Sequence, residues 1–356
     1  MGQVLEVPWK PALHFFDFPR KEFIPPLVEY AFSASPVESS TSVQLMSFTL
    51  EGLIRAHVAR RVNPVDDDPI SEVQHAYQRW LYIQSGPQGE RLPWAQRGGP
   101  FATRFAQPDG WLVGNDALVS RQDPPLETVR VLEEFARTGV VRRGERSVAR
   151  GGAVVPRAAL AAVWSNEAAG AFAAAVGIAS LTHGNPDDYL PAGFMAALVH
   201  QQIRDVPFSE CLEAARGELE RWPGHERTSQ MIRNALELNK EVWSPAPPGQ
   251  LAERFPGGGA DGAEALGISL YCALASDYVR EALLLAMNYS SQHRSATCAI
   301  SGLIIGAECG VNAIPKELRQ VPSLYPLMDE LVTDALTEFS PAAPTDASWT
   351  RRYPAW

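Results

Sequence analysis

"ISGLIIGAECGVNAIP", residues 300–315, is a helix punctuated by glycine: Gly302, Gly306 and Gly310 recur every four residues among Ile300, Leu303, Ile304 and Ile305. Glycine costs about 1 kcal/mol relative to alanine in a helix interior, so the pattern implies neighbouring helices that approach closely enough to offset it. Glu308 lies inside the segment and the apolar run is short, which favours packing in a core over dimerisation in a membrane. Just upstream, "NYSSQHRSAT" (288–297) is polar and basic, so the helix presents Gln292, His293 and Arg294 at its start, with Ser295 read as a structural or capping residue.

The rest of the chain is built in the same way. In "STSVQLMSFTLEGLIRAHVARR" (40–61), Leu45, Phe48, Gly52, Leu53 and Ala56 share one helical face, with Thr41 or Ser42 as its cap. Residues 81–125 are rich in loops. Helical periodicity returns in the alanine-rich "RAALAAVWSNEAAGAFAAAVGIASLTHG" (157–184) and continues in a helix starting near Ser209 with Leu212, Ala215 and Leu219 on one stripe. It then runs through "SQMIRNALELNKEVW", "AEALGISLYCALAS" and "YVREALLLAMNYS". "SPAPPGQLAERFPGGGADG" reads as a breaker-rich connection. Strand-like alternation is scarce, no repeat appears, and the expected fold is all-α, a compact multi-helix domain. An aromatic, proline-rich arm (1–35) precedes a helical domain over 36–340 and a tail over 341–356; the arm is expected to lie across the body or to meet a partner.

Composition narrows the function. With 46% hydrophobic and 20% charged residues the 356-residue chain is globular, and its net charge of -10 argues against binding nucleic acid through a basic face. The N-terminus lacks a secretion signal and no stretch is long enough to span a bilayer, so a cytoplasmic location without membrane attachment is expected. Cys211, Cys272, Cys298 and Cys309 form no CxxC pair and read as reduced, packed thiols. Asp66, Asp67 and Asp68 are adjacent, so they point in different directions and read as a solvated loop. Asp187 and Asp188 read as acids at the positive end of a helix.

Five stretches taken together carry a resemblance: "FTLEGLIRAHVARR" with "VQHAYQRWL", "ARGGAVVPRAAL", "SLTHGNPDDYLPAG", "AEALGISLYCALASD" and "ISGLIIGAECGVNAIP". In order and spacing, from about residue 36 to 335, the chain resembles the ADP-ribosylglycohydrolases, the all-helical group that includes the dinitrogenase reductase-activating glycohydrolase. The resemblance implies a cleft that binds two magnesium ions and hydrolyses the glycosidic bond of ADP-ribosylated substrates. Such ions need clustered carboxylates. The family supplies an Asp-Asp-Thr and an Asp-x-Asp-Ser/Thr, and here those positions read Thr41, Ser42, Val43 and His293, Arg294, Ser295, Ala296. Tyr30 and Ala31 replace a Gly-Asp, although Pro36 and Glu38 keep the following Pro-x-Glu; Val154 and Val155 replace a Met-Arg after the Gly-Gly turn.

The metal site is therefore expected to be lost, with no cofactor. The expected ligand residues are Glu38, Arg150, Gly151, Gly152, His183, His293 and Arg294. Gly151 and Gly152 match a turn whose amides approach phosphates and ribose, His183 matches a histidine near the cleft, and Arg150 and Arg294 are cations suited to a phosphate or carboxylate. The leading expectation is an inactive relative that binds ADP-ribose, a related nucleotide, an ADP-ribosylated protein, or a protein partner such as an ADP-ribosyltransferase toxin in an immunity-type role. The alternative is a metal-independent or altered hydrolase using Glu38 or Asp116 as acid or base; a scaffold whose cleft is filled by Tyr30, His293 and Arg294 is a third.

Overall fold

Helix α1 (Thr41–Val62) explains the architecture, because 15 of its 22 residues are buried. The expected face of Leu45, Phe48, Gly52, Leu53 and Ala56 is in the core, and so are Gln44, Ser47, Thr49, Glu51 and Arg55 on the other sides. It is a central helix, surrounded by neighbours. In the computed structural model, residues 41–62, 68–84, 90–104, 106–119, 126–141, 149–241, 245–276, 278–290, 293–310 and 325–354 are described. The arm over 1–35, Glu38, Asp66, Asp67 and Gln292 lie outside them.

Among the described residues there are helices and no strands. After α1 come α2 (Ile70–Ile83), the short α3 (Trp94–Arg97) and α4 (Pro100–Arg104), and α5 (Leu126–Thr138). Next follow α6 (Val154–Ala159), α7 (Ala168–Ser180), α8 (Pro186–Gln202), α9 (Phe208–Leu219) and α10 (Glu226–Glu241). The chain continues with α11 (Pro248–Arg254), α12 (Gly262–Leu274), α13 (Val279–Tyr289), α14 (Arg294–Cys309), α15 (Tyr325–Glu338) and α16 (Ala347–Arg352). The all-α expectation holds. Helix α11 was not expected: Pro247 and Pro248 stand at its start, where a missing N–H costs nothing.

Helices α1 and α2 pack closely at Gly52, where an added Cβ would sit 2.9 Å from the Val73 Cα. Their polar residues make a buried ionic cluster. Arg79 donates to Glu51 at 2.7 Å, and Arg55 reaches both oxygens of Asp109 at 3.1 and 2.8 Å. Burying either arginine alone would cost several kcal/mol, so each charge requires its partner. Gly110, at φ +87, closes the cluster: a Cβ there would meet Arg79 Nη1 at 2.5 Å and Glu51 Oε1 at 2.7 Å.

Helices α12 and α14 pack together as the glycine pattern predicts. The Ser269 hydroxyl lies within hydrogen-bond distance of the carbonyls of Ala265 (2.7 Å) and Thr297 (2.9 Å), and Gly302 and Gly306 are buried. Gly310 corrects the pattern, since it stands at φ +74 as the residue that ends α14, its N–H bonded to the Gly306 carbonyl. Left-handed backbone at a helix end is glycine's usual role. Cys211 and Cys272 are buried free thiols, but Cys309 is exposed because it lies on the last turn of α14. At the other end of the chain, Arg352 and Tyr353 both bond Asp334, docking α16 on α15.

Candidate functional site

The turn before α6 and the starts of α8, α12 and α14 meet. Gly151 has φ +110, a conformation that favours glycine. Its N–H donates to Asp188 Oδ1 at 3.2 Å, and the Gly262 N–H donates to the same oxygen at 3.0 Å. Asp188, in the first turn of α8, thus fastens the Gly-Gly turn to the first residue of α12. Gly152 leaves no room for a side chain: a Cβ would lie 2.5 Å from the Ala265 Cβ and 3.4 Å from the Ala296 Cβ. Gly259, on the loop before α12, faces Ser290, Thr297 and His293, the His293 Cβ being 3.6 Å from its would-be Cβ. Helix α6 packs on both α1 and α14, so one short element touches both helices.

These starts differ in charge. Asn185 caps α8 through the Asp187 N–H, and Asp187 and Asp188 occupy its first turn, as expected. Asp261 caps α12 through the Glu264 N–H. Arg227 joins this group, reaching Asp261, Glu264 at 3.1 Å and Asp187 at 3.7 Å. Burial pushes the Asp187 carboxyl up, and the neighbouring Asp261 charge adds to it. Burial also pushes Asp188 up, against the two main-chain N–H groups that favour its charged form. Among the described residues, Asp188 Oδ2 is buried with no hydrogen-bond partner.

Helix α14 has no such acids. His293 stands at its N-cap without a side-chain cap bond, and no acidic residue lies in its first turn. Ser295 therefore does not cap the helix; it lies one residue inside it. Arg294 and Arg150 are exposed and His293 is half-buried. Ala296 is buried against the Gly152 turn. Thr41 and Ser42 are half-buried in the first turn of α1.

The structure brings together Arg150, Gly151, Gly152, His183, His293 and the start of α14. His183 is joined to the turn through a parallel bridge to Ala149. It is only 3% exposed, so it lies behind the turn rather than on an open wall. Its Nδ1 is 2.9 Å from the Thr182 hydroxyl, to which Arg157 Nη2 donates at 2.5 Å. Asp116 is exposed on a 3-10 turn, next to one that packs on α2. Asp68 accepts the Ile70 N–H at 2.9 Å and so starts α2.

Sequence reasoning missed Asp188 as the fastening between two glycine amides, and the Arg157–Thr182–His183 chain behind the turn. It had weighed Asp188 only as a helix-starting acid, and the second glycine amide comes from 74 residues away. A cavity of about 880 Å³ at the far end of α1, lined by His57, Arg60, Arg61, Trp164, Trp222 and Phe339 among others, was also not foreseen. It is large, but it lies at the opposite end of α1 from Thr41 and Ser42. Among the described residues, no group of three or more His, Cys, Asp or Glu side chains is arranged to hold a metal ion, and no helix is long and apolar enough to cross a membrane.

The comparisons with known proteins agree with this architecture. A solved structure described as an "ADP-ribosylglycohydrolase-related protein complex" superposes with a TM-score of 0.60 at 16% identity, covering 95% of this chain and 98% of the other. At that identity the likeness speaks for the fold. No curated protein matches the sequence. The ADP-ribosylglycohydrolase family model matches residues 7–344, beginning within the aromatic arm and running through the last long helix. With nearly the whole chain matched, this protein belongs to the ADP-ribosylglycohydrolase family.

Proposed function

We propose that this chain is a non-hydrolysing member of its family that binds an ADP-ribose-like nucleotide without metal. The observation that carries the reading is the start of α14: a helix N-terminus with His293 and Arg294, no acid in its first turn and no side-chain cap, set against the Gly152 turn. A helix N-terminus with free N–H groups and adjacent cations attracts an anion and repels a dication. Magnesium needs oxygen donors, mostly carboxylates, in near-octahedral array. Thr41, Ser42, His293, Ser295 and Ala296 offer hydroxyls, an imidazole and a methyl, a donor set that does not fit it.

The nearby acids do not replace the missing ones. Arg227 engages Asp187, Asp261 and Glu264, and Asp188 Oδ1 is used by two glycine amides. In this reading Arg150 and Arg294 pair with the diphosphate and the Gly151–Gly152 turn lies against it. Arg294→Glu is expected to weaken ADP-ribose binding at least about tenfold, since it removes a charge-assisted contact and adds repulsion. Unchanged affinity in that variant would remove the anion site from α14.

A second reading has one observation in its favour. The Asp187 carboxyl, pushed up by burial and by Asp261, is partly exposed and is the kind of group that serves as a general acid. A hydrolase assay on an ADP-ribosylated substrate in chelator, wild type against Asp187→Asn, separates the two. Turnover that the variant abolishes supports the enzyme; no turnover in either supports the binder.

A further inference from the structure

We infer that the cavity of about 880 Å³ at the far end of α1 is a second binding site, for an uncharged, flat aromatic molecule carrying an N–H or O–H group, with His57 Nε2 as the acceptor. The inference goes beyond the binding proposal and does not depend on it.

The acceptor is fixed by the partners of one carboxylate. Glu338, the last residue of α15, is fully buried. Its Oε1 lies 2.8 Å from His57 Nδ1 and 2.7 Å from Arg61 Nε. Its Oε2 lies 2.8 Å from Arg61 Nη2 and 2.7 Å from Trp349 Nε1. Arginine and tryptophan nitrogens only donate, and each carboxylate oxygen accepts two bonds. Burial disfavours the charged carboxyl, but the bonds from His57, Arg61 and Trp349 outweigh it and hold the group ionised. A carboxylate has no hydrogen to give, so His57 Nδ1 is the donor in its contact with Oε1. In the neutral ring the free lone pair is then on Nε2. Among the described residues no group bonds Nε2, and the side chain is 22% exposed and lines the cavity. Turning the ring over would set a carbon against Oε1 and forfeit that bond, so the acceptor stays where it is.

The walls define what the acceptor meets. Phe339 packs on the His57 ring with centroids 4.7 Å apart, and Trp164 stands edge-on to it at 6.4 Å and 87°. Trp222 also lines the cavity and is stacked on Phe172 at 5.3 Å. Helix α7 contributes Ala173 and Ala174, whose short side chains leave room for a flat body. The cations of the cavity do not point to an anion: Arg61 is engaged by Glu338 and by the Pro344 carbonyl at 3.0 Å, and Arg60 stands over the Trp164 ring at 5.5 Å. Ring faces around one oriented acceptor, in a space within the roughly 300–1,000 Å³ of small-molecule pockets, match an apolar ring with a single donor.

The probe is indole, with 1-methylindole as the same body without its N–H. Each is titrated into ¹⁵N-labelled full-length protein at about pH 8, where an ordinary histidine is neutral, and the histidine ring signals are followed. The chain has seven histidines, and comparison with His57→Gln, whose amide can still donate to Glu338, assigns the one that matters. The expected wild-type ring is protonated on Nδ1 and shifts with indole, while 1-methylindole binds about five- to tenfold more weakly, the worth of one hydrogen bond. His57→Phe keeps a ring at the position and is expected to erase that preference. A wild-type ring protonated on Nε2, or an imidazolium at that pH, overturns the acceptor. No indole binding up to its solubility, equal binding of the two probes, or a preference that survives in His57→Phe overturns the site. All but the last of these outcomes are read on the wild type, so they stand even where the phenylalanine variant fails to fold.

Discussion

Asp188→Ala should destabilise the protein because two main-chain donors depend on one oxygen. The Gly262 N–H is buried and the Gly151 N–H partly so. Leaving a buried donor without a partner costs about 1–3 kcal/mol; the Gly262 amide should bear most of that, and the half-covered Gly151 amide, within reach of water, less. Against this stands the relief of removing a carboxylate whose Oδ2 is buried without a partner among the described residues. The net expectation is a loss of about 2–3 kcal/mol, read as a lower urea midpoint with an unchanged slope. Asp188→Asn keeps an acceptor oxygen and should stay within about 1 kcal/mol of wild type. The pH dependence gives a second reading of the same residue. Its carboxyl titrates above its unfolded value of about 3.9, so between the two values the folded state holds more protons. Its contribution to stability then falls as pH rises through that window, and Asp188→Asn should lack that slope. An alanine variant within about 0.5 kcal/mol of wild type, the range of an ordinary surface change, would refute the fastening role.

Two other perturbations test the scaffold. Gly110→Ala places a Cβ 2.5 Å from Arg79 Nη1 at φ +87; strain and a disturbed ionic cluster should cost about 2–4 kcal/mol, and a thermal midpoint equal to wild type would contradict it. Burial alone would push Glu338 up, but bonds from His57, Arg61 and Trp349 outweigh it and hold the carboxyl low. Its stabilisation is therefore present above the ordinary carboxylate range and is lost as pH falls through its depressed titration point. Glu338→Gln should be less stable at neutral pH and should lose that part of the acid sensitivity, checked by urea unfolding across the acid range.

How much of this was legible depended on whether the information was local. The helices α8, α12, α13 and α14 follow from apolar spacing and from glycines that only close packing explains. The resemblance located the Gly151–Gly152 turn, His183 and the start of α14 in one cluster. What escaped was set by partners distant in sequence. Glu51 and Arg55 look like the solvent face of an amphipathic helix until Arg79 and Asp109 fold over them. Gly310 has the same four-residue spacing as Gly302 and Gly306, yet a fixed spacing does not say where the helix stops. His183 reads as a ligand residue in sequence, but it is buried behind the turn, where its ring meets Thr182 and, through it, Arg157 from 26 residues upstream. Asp116 carries a chemistry-bearing side chain on an exposed turn, and its sequence context had no means of showing that.

The measurement closest to the central claim is a calorimetric titration of the full-length protein with ADP-ribose, run once in magnesium and once in chelator. The account predicts the same binding in both, because Arg150, Arg294 and the start of α14 meet the diphosphate without an ion. Binding that appears only with magnesium, or no binding in either condition, would contradict it.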